Sequence, residues 1–300
     1  MRVLNIYRKD SRNVGDLKTS PLLYFKFSAD QDSLDVLEAG KDSDLSNYDA
    51  IIVGGGGLLQ DKWFMSSLTR IRNSCRGKVI LWGAGLNNHF YDETIYFAPS
   101  FATRRRLFFE GLLGKRSLKV APSPRSNGIS SQCNDWLRTC DLIGVRDYGT
   151  GFDWVPCASC MDARLDYYRN MAPKHPLVAI DHPDFCRIEL SHVPHFSNVE
   201  NDFDSILSFI ASGETVLSAS YHAAYWALLM GRKVVVVPWS EKFSRLKYDV
   251  PACLNRGELP NCVARARPYP EALKECRDRN IDFVSEVSKL LGLSWTQIND

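Results

Sequence analysis

The stretch Ser218–Phe243, "SASYHAAYWALLMGRKVVVVPWSEKF", decides the fold class of this sequence. Apolar residues at Thr215–Leu217 predict a strand just before it, Tyr221–Met230 has helical spacing, and Lys233–Val237 predicts a second strand. Both strands are apolar without alternation, which is typical of parallel strands covered by helices on both faces. This order of elements therefore predicts a parallel sheet with a crossover helix.

The same alternation of strands and helices extends along the chain. The polar, proline-containing break at Tyr167–Pro176 separates one series from the next. We therefore expect an α/β protein of two Rossmann-like domains that face each other across a cleft, with residues 1–170 in the first and 171–300 in the second. An amphipathic helix after Ile281 is expected to pack back on the N-terminal domain. Further strands are predicted at Arg2–Tyr7, Ala50–Val53, Lys78–Gly85, Leu142–Val145 and Leu177–Ile180, and a further helix at Phe203–Ile210.

The composition is that of an ordinary soluble globular protein. Of 300 residues, 45% are hydrophobic and 24% are charged, and the net charge of +2 gives no reason to expect nucleic-acid binding. No apolar run approaches the roughly 20 residues that cross a bilayer, and the N-terminus lacks the apolar core of a secretory signal. The irregular spacing of nine cysteines favours reduced thiols. We therefore expect a cytoplasmic protein, with the inner face of the membrane as a further location.

Glycines follow three predicted strands of the N-terminal half. "NVGD" (Asn13–Asp16) follows the first strand, "GGGG" (Gly54–Gly57) follows the second, and "WGAG" (Trp82–Gly85) ends the third. Each alone indicates either a ligand-facing loop or a tight turn, because glycine tolerates positive φ and close approach. Ligands of open α/β sheets bind beyond the carboxyl ends of the strands, so the three loops together predict one crevice. Its expected lining is Asn13, Gly15, Gly55, Gly56, Gly85 and Asn87.

An arginine directly follows another strand. Arg146 comes after Leu142–Val145 in "GVRDYGTG". Its planar guanidinium suits a carboxylate or a phosphate, so we predict an anion-binding role. The alternative is an ion pair with the neighbouring Asp147 at the protein surface.

The junction between the opening strand and its helix is the strongest candidate for a site. Ser218 and Ser220 suit the cap of the helix, and His222 falls in its first turn, where free amide N–H groups and the helix dipole favour an anion. Lys242 follows the next strand and would add a cation. The alternatives are a core histidine among apolar neighbours and a solvated lysine.

A second histidine, His182, follows the first predicted strand of the C-terminal half and should lie at the same edge of its sheet. Zinc ligation by Cys157 and Cys160 together with His192 and His195 is a further arrangement that we considered. The second cysteine pair of a zinc ribbon is missing, so we expect no metal.

Residues 89–140 form a basic segment with eight Arg or Lys against four Asp or Glu, a net charge of +4. This segment combines Arg104, Arg105 and Arg106 with aromatic residues. It is either a solvated surface segment or a contact for an anionic glycan, a lipid carrier or a membrane surface. A peripheral membrane contact would run through residues 104–116.

In their order along the chain, these motifs resemble the polysaccharide pyruvyl transferase family. The resemblance rests on "NVGD", "VGGGGLL", "LWGAG", "GVRD" and "SYHAAYWALLMGRKVVV" followed by Lys-Phe, and spans roughly residues 3–245. It implies a glycosyltransferase-B-like fold and transfer of the enolpyruvyl unit of phosphoenolpyruvate to a sugar, usually as a pyruvate ketal. It also implies donor-binding and catalytic roles for Arg146 and His222. Ser220 stands where some relatives carry arginine.

The implied reaction assigns roles to the candidate residues. The phosphate and carboxylate of the donor need cations or helix N-termini, and its methylene carbon needs an acid. His222 or His182 is the expected acid, and Asp16 is the expected base for the sugar hydroxyl. The expected donor-binding residues are Arg146, Ser218, Ser220 and Lys242. Phosphoenolpyruvate is a co-substrate, and no step requires a metal or another cofactor.

The resemblance thus implies a pyruvyl transferase, and we expect it to act on a cell-surface polysaccharide precursor. Its partners would be a small-molecule donor and a glycan or lipid-linked sugar acceptor, with no nucleic acid, and no oligomeric state is predicted. Two alternatives stay open: a nucleotide-sugar-dependent glycosyltransferase of the glycosyltransferase-B fold and a non-catalytic glycan-binding relative.

Overall fold

The computed structural model describes residues 1–41, 43–91, 94–110, 129–182, 184–197 and 202–298. The chain groups into two compact units. Unit 1 comprises Met1–Asn88, Ser126–Ala163 and Lys274–Asp300, and unit 2 comprises His89–Arg125 and Arg164–Leu273. This grouping differs from a division of the chain at residue 170, because residues 89–125 group with unit 2.

The elements alternate along the chain as the sequence indicates. The described strands are β1 (Arg2–Tyr7), β2 (Phe25–Phe27), β3 (Asp30–Asp35), β4 (Ala50–Gly54), β5 (Lys78–Ala84), β6 (Ile95–Phe97), β7 (Leu142–Val145), β8 (Asp153–Trp154), β9 (His175–Asp181), β10 (Cys186–Ile188), β11 (His195–Ser197), β12 (Gly213–Ser218), β13 (Lys233–Val236) and β14 (Trp295–Gln297). The described α-helices are α1 (Val14–Leu17), α2 (Val36–Ala39), α3 (Met65–Ser74), α4 (Phe101–Phe109), α5 (Ser131–Leu137), α6 (Arg164–Arg169), α7 (Phe203–Ala211), α8 (Tyr221–Leu229), α9 (Leu259–Arg265) and α10 (Ala272–Leu291). Short 3₁₀ helices cover Pro21–Leu23, Ala158–Met161, Glu241–Arg245 and Arg256–Glu258.

The main sheet of unit 1 is parallel, with the strand order β3-β1-β4-β5-β7-β8. β1, β4 and β5 are buried beyond their first residues, which explains why their sequences do not alternate. Leu68 and Ile71 of α3 and Trp136 of α5 cover one face. The sequence analysis missed β3, because this edge strand pairs with β1 alone and is largely polar.

The C-terminal helix α10 packs on unit 1 through an asparagine and a phenylalanine. Trp82 Nε1–H of β5 donates to Asn280 Oδ1 at 2.8 Å, and the Trp82 ring lies edge-on to Phe283 with 5.3 Å between ring centroids. The helix begins at Ala272, before the start that the sequence predicts. The sequence does not reveal the first turns, because they are rich in charged residues and show little apolar periodicity. β14 follows it and pairs antiparallel with β2.

The main sheet of unit 2 is also parallel, with the strand order β11-β9-β12-β13. Helix α8, which connects β12 to β13, is buried at every residue and therefore has no polar face. Its Trp226 packs on Phe203 of α7, with ring centroids 4.7 Å apart. The two parallel sheets confirm the predicted α/β class. None of the helices in the described ranges is long and apolar enough to cross a bilayer.

Candidate functional site

The strand-end loops of unit 1 pack closely on one another. Gly55 and Gly56 follow β4 with φ values of +80° and +77°. A Cβ atom on Gly55 would overlap Thr19, and one on Gly57 would lie 2.7 Å from Asn87 Cβ. The loops after β1, β4 and β5 therefore meet, as expected at the carboxyl edge of a parallel sheet. The glycines serve both the backbone conformation and the close approach.

The predicted residues of the first loop lie in and before the short helix α1. Asn13 Oδ1 accepts a hydrogen bond from Gly15 N at 2.9 Å, so this side chain caps the helix. Asp16 Oδ2 accepts from Ser11 Oγ at 3.0 Å. Asp16 Oδ1 is 3.8 Å from where a Cβ on Gly56 would be. The half-buried carboxylate of Asp16 thus lies beside the glycine loop.

Arg146 and Asp147, directly after β7, are both buried and hold the loop that follows β5. An Nη of Arg146 donates to the Leu86 carbonyl at 3.0 Å, and Asp147 Oδ2 accepts from Leu86 N at 2.5 Å. Arg146 Nε lies 3.6 Å from Asp147 Oδ1. Arg146 and Asp147 thus do form the ion pair given as the alternative, but the pair is buried under this loop and does not lie at the protein surface. A Cβ on Gly85 would lie only 2.6 Å from Arg146 Nε.

In unit 2, two serines shape the turn between β12 and α8. Ser218 Oγ donates to the Ser220 carbonyl at 2.7 Å and accepts from Ser220 N at 3.1 Å. Ser220 Oγ caps α8 by accepting from Ala223 N at 3.5 Å. Both hydroxyls thus stabilise the turn that places the first residues of α8 at the carboxyl end of β12.

His222 is the second residue of α8 and is 5% exposed. Its ring stacks on Trp226 with 5.6 Å between centroids and meets Tyr221 edge-on at 5.6 Å. The residue thus combines the position of an anion-binding group with the packing of a core residue. A functional test must separate these two roles.

Lys242 is buried in the 3₁₀ helix after β13, which contradicts the alternative of a solvated lysine. Its Nζ lies 4.0 Å from the centroid of the Trp239 ring, a distance at which the ring attracts the ammonium group. Trp239 Nε1–H donates to the Ala219 carbonyl at 2.6 Å and so ties this loop to the end of β12. The ring of His182 contacts the same Trp239 edge-on at 5.2 Å.

The imidazole of His182, directly after β9, is neutral at pH 7. Burial, together with the nearby positive charge of Lys242, lowers the pKa of His182 well below its ordinary value of 6.5, and His89 and Arg187 add to this effect. His182 Nδ1 is buried and makes no hydrogen bond to any of the residues that the structure describes. This nitrogen is therefore available to a ligand that enters the cluster.

The sequence analysis missed His89 and Phe185, which pack around His182. The His89 ring lies 4.4 Å from Phe185 and 4.8 Å from Trp239, and the rings of Phe185 and Trp239 stack at 4.6 Å. His89 reaches this position through a bridge to Ser240, far away in the sequence, so no local signal reveals it. We call the group of His89, His182, Phe185, Trp239 and Lys242 the His182 cluster.

The predicted site residues thus fall into two groups. β9, β12 and β13 are neighbours, so His182, Ser218, Ser220, His222 and Lys242 lie at one edge of the unit 2 sheet. The other group lies at the carboxyl edge of the unit 1 sheet and consists of Asn13, Gly15, Asp16, Gly55, Gly56, Gly85, Asn87 and Arg146.

Three of the four residues considered for zinc, Cys157, Cys160 and His195, have other partners. Ser159 Oγ donates to Cys157 Sγ at 3.3 Å, Asn280 Nδ2 donates to Cys160 Sγ at 3.3 Å, and His195 Nε2 lies 3.1 Å from Asp181 Oδ2. Within the described ranges, no three His, Cys, Asp or Glu residues are grouped to hold a metal.

The basic segment is described only in part. Arg104, Arg105 and Arg106 lie exposed on α4. Residues 111–116 of the expected membrane contact lie outside the described residues.

Comparison with known proteins identifies the family. No curated protein matches the chain. Among solved structures, one described as a UDP-N-acetylglucosamine 2-epimerase from Listeria monocytogenes has a TM-score of 0.49 at 10% identity, covering 96% of this chain and 96% of that chain. A functionally uncharacterised protein from Klebsiella pneumoniae subsp. pneumoniae has a TM-score of 0.40 at 14% identity, covering 79% of this chain and 83% of that chain.

The family model "Polysaccharide pyruvyl transferase" matches residues 2–155, just over half of the chain. The matched range contains the strand-end loops of unit 1, from "NVGD" through the glycine loop to Arg146. On this match, the chain belongs to the polysaccharide pyruvyl transferase family.

Proposed function

We propose that this protein transfers the pyruvyl group of phosphoenolpyruvate to a sugar hydroxyl of a cell-surface polysaccharide or glycan precursor in the cytoplasm. Family membership supports the class of reaction. The observation that carries the choice of donor is the His182 cluster, where a buried lysine lies beside a buried imidazole with an unbonded nitrogen. The same proposal includes a glycosyltransferase-B-like arrangement, in which two Rossmann-like domains face each other across a cleft.

The donor would bind at the carboxyl edge of the unit 2 sheet. Phosphoenolpyruvate carries a phosphate and a carboxylate, which need positive charge and N–H donors. Lys242 supplies a cation that is already buried, and so largely removed from water, before the donor binds. The first turn of α8 adds backbone amides and the positive end of the helix dipole. Ser218 and Ser220 hold this turn in shape.

The bound donor would also switch the protonation of His182. Burial is the largest cause of the lowered pKa and Lys242 is the next, so a negative phosphate or carboxylate beside Lys242 would offset the second cause and raise the pKa of His182. His182 would then take up a proton and deliver it to the methylene carbon of phosphoenolpyruvate. His222, in the first turn of α8, is the second candidate for this acid.

The acceptor would use the loops of unit 1. Protonation of the methylene carbon leaves an oxocarbenium-like carbon that a sugar hydroxyl attacks, and Asp16 would take the proton of this hydroxyl. A second hydroxyl of the same sugar then attacks this carbon, its proton passes to the departing phosphate, and the C–O bond to phosphate breaks as the ketal closes. In this scheme Arg146 acts mainly by positioning the loop after β5 through Leu86 and Asp147.

Ligand binding to the whole protein tests the donor. Phosphoenolpyruvate should raise the melting temperature, whereas a panel of nucleotide sugars should not. Lys242→Ala should weaken phosphoenolpyruvate binding about 10–100-fold, the usual effect of losing a contact to a charged group. The control is Lys233→Ala, which removes a partly exposed lysine of the same unit that pairs with Glu214. Stabilisation by a nucleotide sugar alone would favour a glycosyltransferase, and stabilisation by neither donor would favour a glycan-binding protein.

Kinetics of the two histidine variants tests the acid. His182→Gln and His222→Gln keep hydrogen-bonding capacity but cannot deliver a proton. The variant that removes the acid should bind phosphoenolpyruvate like the parent and lose about 100-fold or more in turnover. If His222→Gln instead lowers the melting temperature strongly and leaves the specific activity intact, His222 is a core residue.

A further inference from the structure

Helix α4 of unit 2 exposes an apolar and basic face. Phe101, Phe108 and Phe109 are 83%, 69% and 73% exposed. Arg104 and Arg105 are exposed among them. At 100° per residue, these five side chains leave the helix within an arc of about 140°, so they form one continuous surface. We call this surface the α4 face.

Most of the contacts that fix α4 lie outside the α4 face, although Arg104 Nε donates to the Pro99 carbonyl at 3.1 Å. Outside this face, Leu107 is buried, and Ser100, the N-cap residue, donates from its backbone N to Glu189 Oε2 at 2.9 Å. Thr103 Oγ1 donates to the same carboxylate at 2.9 Å. The three phenylalanine side chains take no part in these anchoring contacts. Their exposure is unfavourable, because their apolar surface stays in contact with water.

The structure points to an occupant that is both apolar and anionic. We propose that the α4 face docks on the surface of a lipid bilayer that contains anionic headgroups. The phenylalanine rings would enter the boundary between headgroups and acyl chains, and Arg104 and Arg105 would contact the phosphates. Arg106 Nε lies 3.9 Å from Glu110 Oε1, and with three arginines and this one acid the described helix and its C-cap keep an excess of positive charge.

Other occupants fit this surface less well. An anionic glycan would engage the arginines, but the faces of its sugar rings would bury less of three phenylalanine side chains than the acyl boundary of a bilayer does. A second copy of this chain, packed face to face, would bring Arg104 and Arg105 of both copies together and create like-charge repulsion. The close approach of Arg105 to the Phe109 ring, 5.7 Å from Cζ to the centroid, shows that cation and ring share one patch.

Co-sedimentation of the full chain with vesicles tests the proposal. The parent should bind vesicles of phosphatidylcholine mixed with phosphatidylglycerol, bind far less to pure phosphatidylcholine, and lose affinity as salt is raised. Replacing Arg104, Arg105 and Arg106 by Gln should lower the partition coefficient about 100-fold, because each basic side chain near such a surface contributes about fivefold. Phe101→Ser with Phe108→Ser should lower it at least about tenfold.

Matched controls remove the same groups elsewhere. Arg76, Arg256 and Arg265 are exposed arginines outside the α4 face, and their replacement by Gln should leave partition within about twofold of the parent after the same loss of net charge. Equal losses in both triple variants, equal binding to neutral and anionic vesicles, or no binding at low salt would each overturn the proposal. Concentration-dependent self-association that the phenylalanine variant abolishes would assign the face to a second copy instead. The assay uses no donor or sugar, so its result is independent of the proposed enzymatic function.

Discussion

At the level of single residues, the His182 cluster places a cation beside an imidazole that its surroundings keep neutral. The ring of Trp239 stabilises the ammonium of Lys242 without neutralising it. The remaining positive charge then acts on His182 together with burial. Burial and the positive charge of Lys242 thus act on His182 in the same direction, and both favour the neutral imidazole.

The lowered pKa of His182 predicts how stability depends on pH. The folded state holds this histidine neutral, whereas the unfolded chain protonates it with a pKa near 6.5. Below that pH the unfolded state binds more protons, so the free energy of unfolding should fall as pH falls, by at most about 1.4 kcal/mol per pH unit. This penalty is absent above about pH 7.5, where both states are neutral.

Replacing His182 by Gln should remove this pH dependence. Urea unfolding between about pH 5 and pH 8 should give a shallower slope for His182→Gln than for the parent. His175→Gln, at an exposed histidine at the start of β9, serves as the control and should keep the parental slope. Parallel curves for the parent and His182→Gln would contradict the neutral state of His182.

At the level of elements, the glycine loop after β4 is limited by both conformation and space. Gly55 has φ +80° and no room for a Cβ atom beside Thr19, whereas Gly149 has φ +75° and no atom of the described residues within 4 Å of such a Cβ. A side chain would meet backbone strain at both glycines but steric overlap only at Gly55, so a comparison of the two separates the two effects. Loops that meet this tightly have little freedom to rearrange without moving one another.

Alanine substitutions at these two glycines should differ in cost. Gly149→Ala should lower the free energy of unfolding by about 1 kcal/mol, the cost of a left-handed conformation for an L-residue. Gly55→Ala should cost about 2–4 kcal/mol, because overpacking against Thr19 is added. Denaturant unfolding of both variants measures this, and equal costs would mean that the loop yields freely.

Helix α10 depends on a buried polar side chain. Asn280 is fully buried, and its Nδ2 donates to the carbonyls of Pro156 at 3.2 Å and Cys276 at 3.0 Å. Asn280→Leu should lower the free energy of unfolding by about 2–5 kcal/mol, because Trp82 Nε1–H and the Pro156 carbonyl lose this partner in the interior. Asn170→Leu, at an exposed asparagine that donates to the Asp166 carbonyl, should change it by less than about 0.5 kcal/mol. Similar effects at both sites would show that water replaces Asn280.

At the level of the whole molecule, neither unit is a single segment of chain. Unit 1 contains residues from both ends of the sequence, and its C-terminal part supplies α10 and β14. One face of the unit 1 sheet is therefore covered by α10, which comes from the C-terminal end of the chain.

Truncation should therefore affect the two units unequally. A chain that ends at Leu273 loses the partners of Trp82 and β2, so amide protons of β1, β4 and β5 should exchange markedly faster with solvent while those of β9 and β12 keep their protection. A chain that ends at Leu293 loses only β14 and should retain most protection in both sheets. Uniform loss of protection after removal of residues 274–300 would show that the units fold as one cooperative body.

The sequence by itself determined the class of the fold and the positions of the buried strands, to within one or two residues at their ends. β1 and β7 have the predicted bounds. Strands buried on both faces consist of continuous apolar residues, and glycine or charged residues mark where they end. The same signal placed His182, His222 and Lys242 just beyond strands of one parallel series. Local patterns suffice for these features because they depend on residues close together in the chain.

Only the tertiary structure decided which side chains meet and how their charges interact. His89 joins His182 through the bridge to Ser240, Lys242 is buried against Trp239, and Arg146 lies under the loop of Leu86. β3 forms although it is polar, because β1 offers it an open edge. Burial and electrostatic coupling depend on distances in space between residues far apart in sequence, and these distances exist only once the sheets have assembled.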